Sequence, residues 1–558
     1  MNKNRKTVGM PLQNREIAFA TLSRLETLLK ILRLPTVAVL IWTFLSGVLV
    51  MAQVQSAAVT GGRVEGVVAD GVVSFKGIPF AAPPTGDLRW RAPNPIKPWS
   101  GVKKADSFGA MCMQDANMSR MFGGPQQASE DCLYLNVWTP AKSDGDKLPV
   151  MVWIYGGGFF GGQTGSPAYD GFNFAKKGVV MVSIAYRVGV FGFLAHPDLS
   201  RESGKGSGNY GLEDQIAGLK WVKQNIAGFG GDPSRVTIFG ESAGGISVSM
   251  LAASPAVKGL FQRAISESGG SFAPPRYGDE GGETVFALKV AEAHGEDYVK
   301  RLGVKDIKAA RAQSAEAVQK AMGPPMGQGF WPVLDGNVIV GDQYELYQAG
   351  RFNDTSVLIG TNSDEGALFS RGPVTPARFE SQIRKGYGAR ADTILAAYPH
   401  ATDAEATRSL KNIFRESTFA WHTLAWARLQ SQMGKGKVYL YYFDYHQPDE
   451  PEGASHGTEM GYVFGHLEGT GAMLSHLKGP AKPEDLAMSD LLSTYWVNFA
   501  KTGDPNAPGL PTWPVFTTSD QQAMFLDSQA SDHPVPNMNE LKAFDDYYAW
   551  RRAELQKH

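Results

Sequence analysis

The stretch Gly240-Glu241-Ser242-Ala243-Gly244 sets a serine between two glycines, one residue away on either side. It follows the apolar run Val236-Thr237-Ile238-Phe239, and residues 245–250 can open a helix. A G-x-S-x-G pentapeptide carries chemistry when strand, sharp turn and helix follow one another, because the turn strains the serine backbone and lifts its hydroxyl above the sheet. Five residues alone could be an ordinary glycine-serine turn. The flanking strand and the residues that follow argue against that. A serine hydroxyl is a weak nucleophile and needs a base within hydrogen-bond reach, oriented in turn by an acid. Where this pentapeptide is catalytic, the acid and then the histidine come later in the chain.

Both are on offer. The strand-like Ser356-Val357-Leu358-Ile359-Gly360 leads into Thr361-Asn362-Ser363-Asp364-Glu365-Gly366, with two adjacent acids at its carboxyl end. Pattern alone does not choose between Asp364 and Glu365. Eight of the ten histidines follow that loop. His400 and His446 sit in polar turns, His422 on a helical stretch, and His533 and His558 near the C-terminus. His456 stands in the small-residue loop Ala454-Ser455-His456-Gly457, after a strand-like run from Val438 to Tyr445. Upstream, Trp153-Ile154-Tyr155-Gly156-Gly157-Gly158-Phe159 puts three glycines at the end of another apolar run. Without Cβ atoms, backbone N–H groups there can approach a developing negative charge. The amide of Ala243, directly after the serine, would add a further donor.

These residues need a frame. Residues 149–155 and 179–186 are continuous apolar runs, as expected of strands buried on both faces. Leu212, Ile216, Leu219 and Ile226 recur at helical spacing. Residues 66–75 read as a hairpin turning at Asp70-Gly71, and residues 79–98 as proline-rich extended loop. Helical insertions are expected over 285–322 and 376–432. Strands alternating with helices predict an α/β class with a central, mostly parallel sheet flanked by helices. Ligands in such sheets sit beyond the carboxyl ends of the strands, where Ser242 falls.

With 558 residues, 43% hydrophobic and 20% charged, the chain has the composition of a globular protein with a sizeable core. A formal net charge of −1 and the lack of a basic run give no argument for nucleic acid. Residues 1–33 are rich in Lys and Arg and lead into the apolar run from Thr36 to Leu45, continuing to Val50-Met51-Ala52. That is the layout of a signal peptide over residues 1–52, cleaved after Ala52. The rival reading is an uncleaved anchor, since the run nears the lower limit of a spanning helix. On either reading residues 53–558 form a single catalytic domain exported to the periplasm or the extracellular space. Such compartments permit disulfides, and the two cysteines, Cys112 and Cys132, most simply pair with each other. Closing that loop would stabilise the fold by about 3 kcal/mol. Two cysteines cannot build the usual zinc or iron–sulfur sites, and there is no H-E-x-x-H. No metal or cofactor is implied.

Taken together, the motifs resemble the type B carboxylesterase family, which includes the cholinesterases. The resemblance is carried by Phe75 to Ala81 with Pro83-Pro84 and Leu88-Arg89-Trp90, and by Ser129 to Asn136. It continues through Phe229 to Gly245, Asp364-Glu365-Gly366, His456-Gly457, and Gly503 to Asn506 with Trp496 and Phe499. It implies an α/β-hydrolase fold with helical insertions around an active-site gorge. It selects Glu365 as the acid, giving a Ser242, Glu365 and His456 triad. It also implies oxyanion donors from Gly157, Gly158 and Ala243, and a Cys112–Cys132 disulfide. In cholinesterases the disulfide loop carries a tryptophan for quaternary ammonium. Here residues 113–131 hold none, and Phe122 is their only aromatic residue, so choline esters are not expected as special substrates. Phe159 and Phe160, beside the glycine triplet, are candidate pocket residues, with Trp331 and Tyr462 weaker ones. The expected activity is hydrolysis of carboxylic esters through an acyl-enzyme, with a small-molecule ester as partner. The alternatives are an inactive adhesion or binding protein on the same fold, and acyl transfer to another alcohol.

Overall fold

The computed structural model describes residues 53–557 apart from 122, 124–126, 279–283, 324–328, 371, 449–451, 469–476 and 478. The expected leader and Phe122 lie outside the described residues. An eleven-stranded sheet runs through the molecule. Its strands are β1 (Val67–Ala69), β2 (Val72–Pro79), β3 (Tyr134–Thr139), β4 (Leu148–Ile154), β5 (Val180–Ile184), β6 (Gly231–Glu241), β7 (Arg263–Glu267), β8 (Ser356–Asn362), β9 (Val438–Phe443), β10 (Gln522–Leu526) and β11 (Ser531–Pro534). The order across the sheet is β11-β10-β9-β8-β7-β6-β4-β5-β3-β2-β1. Neighbours from β10 to β5 are parallel, and the strands outside them are antiparallel.

The apolar runs become strands because both sheet faces are covered. Val150 to Ile154 and Val180 to Ile184 are fully buried. The expected hairpin forms with Ala69 opposite Val72, and Asp70 and Gly71 both take positive φ, the geometry a two-residue turn requires. The helix expected after residue 209 is α1 (Tyr210–Asn225). The helix after the serine, α2 (Ala243–Ala253), is buried on every side, as its lack of charge allows.

Chain order reverses at β4. Its successor β5 lies on one side of it and β6 on the other. A crevice at such a switch point is where open α/β sheets bind ligands. The glycine triplet follows β4 and Ser242 follows β6, so the two flank that crevice.

Several elements differ from the sequence reading. The strand before Ser242 extends back to Gly231, with a register shift between Gly231 and Val236. The two helical insertions are broken into short pieces. Residues 288–322 form helices Leu288–Arg301, Ile307–Arg311 and Ala315–Met322. Residues 376–433 form Pro376–Tyr387, Ala391–Ala397 and Asp403–Arg415, then a π-helical turn Glu416–Ala420 and α3 (Trp421–Met433). Gly303 and Gly388, both at positive φ, mark two of the breaks.

Candidate active site

Ser242 sits between β6 and α2 with φ 54° and ψ −125°, a conformation that costs a side-chain-bearing residue energy. It is held there from both sides. Its N–H donates to the Glu267 carbonyl at 2.9 Å, and its carbonyl accepts from the Ile246 N–H at 2.8 Å. The flanking glycines are required by contact. A Cβ on Gly240 would lie 2.6 Å from the Ile154 carbonyl oxygen, and one on Gly244 2.0 Å from the same atom. Amid fully buried neighbours Ser242 remains half-buried.

The acid loop resolves the ambiguity between its two carboxylates. Glu365 is fully buried, and its Oε2 lies 2.5 Å from His456 Nδ1. Its Oε1 accepts from Ser268 Oγ at 2.5 Å and from the Asn362 N–H at 2.7 Å. Asp364 turns elsewhere and lies 4.0 Å from Lys411. His456, on the loop between β9 and helix α4 (Thr458–Phe464), is 2% exposed. The Phe419 ring stacks on it with centroids 4.7 Å apart, and Phe369 lies 5.3 Å away. Its Nε2 makes no hydrogen bond among the described residues and lies 3.1 Å from Glu241 Oε1.

Charge decides the state of this ring. Burial pulls the imidazole pKa down, but the Glu241 and Glu365 carboxylates and the Glu365 hydrogen bond push it up further, so the net shift is upward. The reverse holds for the acids. Burial raises Glu241 to about 7 and Glu267 to about 8, and places Glu459 well above the usual carboxylate range. The Trp496 indole donates to Glu267 at 3.0 Å, and the Asn362 amide donates to Glu459.

The triplet lies against the serine, since a Cβ on Gly156 would sit 3.1 Å from Ser242 Cβ. Gly157 and Gly158 have φ 107° and 62°. The N–H groups of Gly157, Gly158 and Ala243 donate to no acceptor among the described residues. Unpaired N–H groups on the glycine loop and at the first residue of α2 are of the kind that can stabilise a developing oxyanion.

Of the pocket candidates, Phe159 is fully buried, edge-on to Phe193 at 5.1 Å and to Trp331 at 4.8 Å. Phe160 is partly buried beside Gly158. Tyr462 packs against Phe443 and Tyr445 in the core. Cys112 and Cys132 are joined in a disulfide. No cluster of metal-ligating side chains occurs among the described residues.

Two residues of the site were missed in the sequence. Glu241 occupies the variable position of the pentapeptide, where nothing in the pattern reveals that its side chain turns toward the histidine. Ser268 had a readable signal. Ser268-Gly269-Gly270 follows the apolar residues Ala264-Ile265 at the end of β7, one strand from the serine in the sheet.

Comparison with known proteins shows the family of the chain. The profile of the Carboxylesterase family matches residues 51–544. A fumonisin B1 esterase from Sphingopyxis macrogoltabida is 38% identical over 508 residues, 85% of this chain and 88% of the relative. A para-nitrobenzyl esterase from Bacillus subtilis is 35% identical over 484 residues, 84% of this chain and 94% of the relative. Among solved structures, a PNB esterase superimposes with a TM-score of 0.77 at 32% identity, covering 88% of this chain and 99% of its own. A carboxylesterase from Geobacillus stearothermophilus gives 0.75 at 33% identity, with the same coverage.

Proposed function

Because the chain belongs to the carboxylesterase family and is a carboxylic ester hydrolase, we propose that Ser242, His456 and Glu365 form its catalytic triad. The observation that carries this reading is the buried 2.5 Å contact between Glu365 and His456 Nδ1. It fixes the tautomer in which Nε2 is the acceptor, as a general base requires. In the reaction His456 Nε2 takes the Ser242 Oγ proton as Oγ bonds the ester carbonyl carbon. The carbonyl electron pair moves onto oxygen, where Gly157, Gly158 and Ala243 donate to it. As the C–O bond to the alcohol breaks, the proton passes from His456 to the leaving oxygen. Water, deprotonated by the same nitrogen, then releases the acid from Ser242. The missing bond at Nε2 agrees with a site that tightens on binding its ester.

Phe160, partly buried beside the triplet and backed by the buried Phe159 and Trp331, makes the surroundings of the triplet apolar, and uncharged esters are the substrates that suit them. The protein acts outside the cytoplasm, a reading supported by the basic-then-apolar layout of residues 1–52 and by the Cys112–Cys132 disulfide. Hydrolysis of p-nitrophenyl esters across acyl lengths, with Ser242→Ala beside the wild type, tests the triad. Activity lost in the variant is expected, and the length profile then sizes the acyl pocket. A Ser242→Ala protein that keeps wild-type turnover would refute the assignment. The p-nitrobenzyl and fumonisin B1 esters for which the relatives are named are further probes.

A further inference from the structure

Gln114 stands two residues beyond Cys112, is 5% exposed, and commits both ends of its amide to the glycine loop. Its Nε2 donates to the Gly162 carbonyl at 2.8 Å, and its Oε1 accepts from the Gly162 N–H at 3.0 Å. Nε2 also donates to the carbonyl of Cys112 at 3.1 Å. One side chain therefore satisfies both backbone groups of Gly162 while tied to the disulfide-bonded residue. Gly162 in turn is seated on the start of the triplet. Its φ is 115°, and a Cβ there would lie 2.4 Å from the Tyr155 ring and 2.6 Å from the Gly156 carbonyl oxygen.

The remaining link is a peptide plane. The Gly157 carbonyl accepts from the N–H groups of Phe160 at 3.0 Å and Gly161 at 3.1 Å. That carbonyl and the Gly158 N–H belong to one planar trans peptide, so they point in opposite directions. Anchoring the oxygen at Gly161 therefore aims the hydrogen of Gly158. Gly157 and Gly158 have no Cβ and little conformational preference of their own. The orientation of their shared peptide must come from outside, and Gly161 is covalently joined to the residue that Gln114 holds.

We propose that Gln114 is a positioning residue for the Gly157–Gly158 peptide, and that the Cys112–Cys132 disulfide fixes the segment from which it reaches. This rests on the reading of Gly158 as an oxyanion donor. The role is distinct from contact with substrate, so its loss changes transition-state binding and leaves ground-state binding in place.

The test compares Gln114→Met, of similar length but unable to make these bonds, with Gln114→Glu, which accepts from the Gly162 N–H but cannot donate to its carbonyl. Both are assayed on a p-nitrophenyl ester and with an aryl trifluoromethyl ketone. Ser242 Oγ adds to the ketone carbon, its proton passes to His456, and the carbonyl oxygen becomes an anion held by the same donors. In Gln114→Met kcat should fall about ten- to a hundredfold, short of the roughly 10²–10³ that losing one donor outright costs. KM should stay within about twofold. Ketone affinity should weaken by the same factor as kcat/KM, and Gln114→Glu should fall between Met and wild type. A folded Gln114→Met with unchanged kcat, or with reduced kcat and unchanged ketone affinity, overturns the proposal. If that variant does not fold, Gly161→Ala serves instead, because its Cβ would lie 2.9 Å from Gln114 Oε1. A wild-type protein that neither cleaves esters nor binds the ketone refutes the underlying reading of the site. Active wild type with an unaffected variant refutes this inference alone.

Discussion

Replacing Gly244 by alanine tests how closely β4 and α2 must approach for the site to work. The added Cβ would lie 2.0 Å from the Ile154 carbonyl oxygen, and 2.9 Å from the Ile154 carbon and the Tyr155 oxygen. All three are backbone atoms, so no side-chain rotation relieves the clash. To restore even 3.0 Å to the Ile154 oxygen, the strand end and the helix start must part by at least 1.0 Å. Two effects compete in stability. Alanine favours the helix by up to about 1 kcal/mol, while overpacking a filled core costs about 1–3 kcal/mol. The net expectation is a loss of about 1–2 kcal/mol, which leaves the protein folded. Activity should suffer far more. Ile154 leads to Gly157 and Gly158, and Gly244 follows Ala243, so on the proposed assignment the separation falls between the two halves of the oxyanion site. A misplacement of about 1 Å can cost on the order of 10² in rate. The measurements are kcat/KM on a p-nitrophenyl ester and the melting temperature. The control is Gly386→Ala, at a helical glycine with open space where its Cβ would go. That variant should gain about 0.5–1 kcal/mol with kcat/KM unchanged. Gly244→Ala with kcat/KM within about twofold of wild type would refute the claim that backbone spacing sets the donors.

Two further perturbations probe the histidine from opposite sides. Ser268→Ala removes one of two donors to Glu365 Oε1. A hydrogen bond to a charged group is worth about 1.5–3 kcal/mol, so kcat should fall roughly ten- to a hundredfold, with KM little changed. Wild-type kcat in this variant would remove Ser268 from the account. In Glu241→Gln the carboxyl 3.1 Å from His456 Nε2 can no longer ionise, so the negative charge that builds up there as pH rises toward about 7 is lost. That charge favours the imidazolium and holds the histidine pKa up. The base works as neutral imidazole, so the acid limb of the kcat/KM–pH profile should move to lower pH. A limb that stays put or moves upward contradicts this reading.

How much of this was legible depended on the kind of interaction involved. Strands β4, β5, β8 and β9 are legible because burial on both faces leaves a mostly apolar run, broken inside β5 only by the small Ser183. Strand β3, Tyr134-Leu135-Asn136-Val137-Trp138-Thr139, is not legible as a strand, because buried Asn136 interrupts the run. Its side chain donates to Ser183 and accepts from the Gly77 N–H, partners more than forty residues away. The C-terminal strands β10 and β11 and their pairing were likewise unread, since Gln522 to Leu526 differs little from an ordinary loop segment until Phe443 is known to lie beside it. At the site, Ser242 and the glycines announced themselves because their backbone geometry is local. His456 was found by order along the chain. The choice of Glu365 over Asp364 came from family resemblance, because two adjacent residues differ only in which way the turn points them. Glu241, Ser268 and Gln114 act through partners brought up by folding, and no spacing along the chain encodes those contacts.

The buried acids around the histidine also affect how the whole chain responds to its medium. In the unfolded chain Glu241 and Glu267 would lose their protons near pH 4.3, the ordinary value for Glu. In the folded protein they keep them until about 7 and about 8. Between those limits folding takes up protons. The stability they contribute is full below the ordinary carboxylate range and is lost as pH rises through the folded values, at up to about 1.4 kcal/mol per pH unit for each proton. Urea unfolding at pH 5.5 and at pH 8 reads that slope directly, with the higher midpoint expected in acid. Ester hydrolysis releases acid, so in weakly buffered surroundings turnover shifts the medium toward the conditions in which the folded enzyme lasts longer.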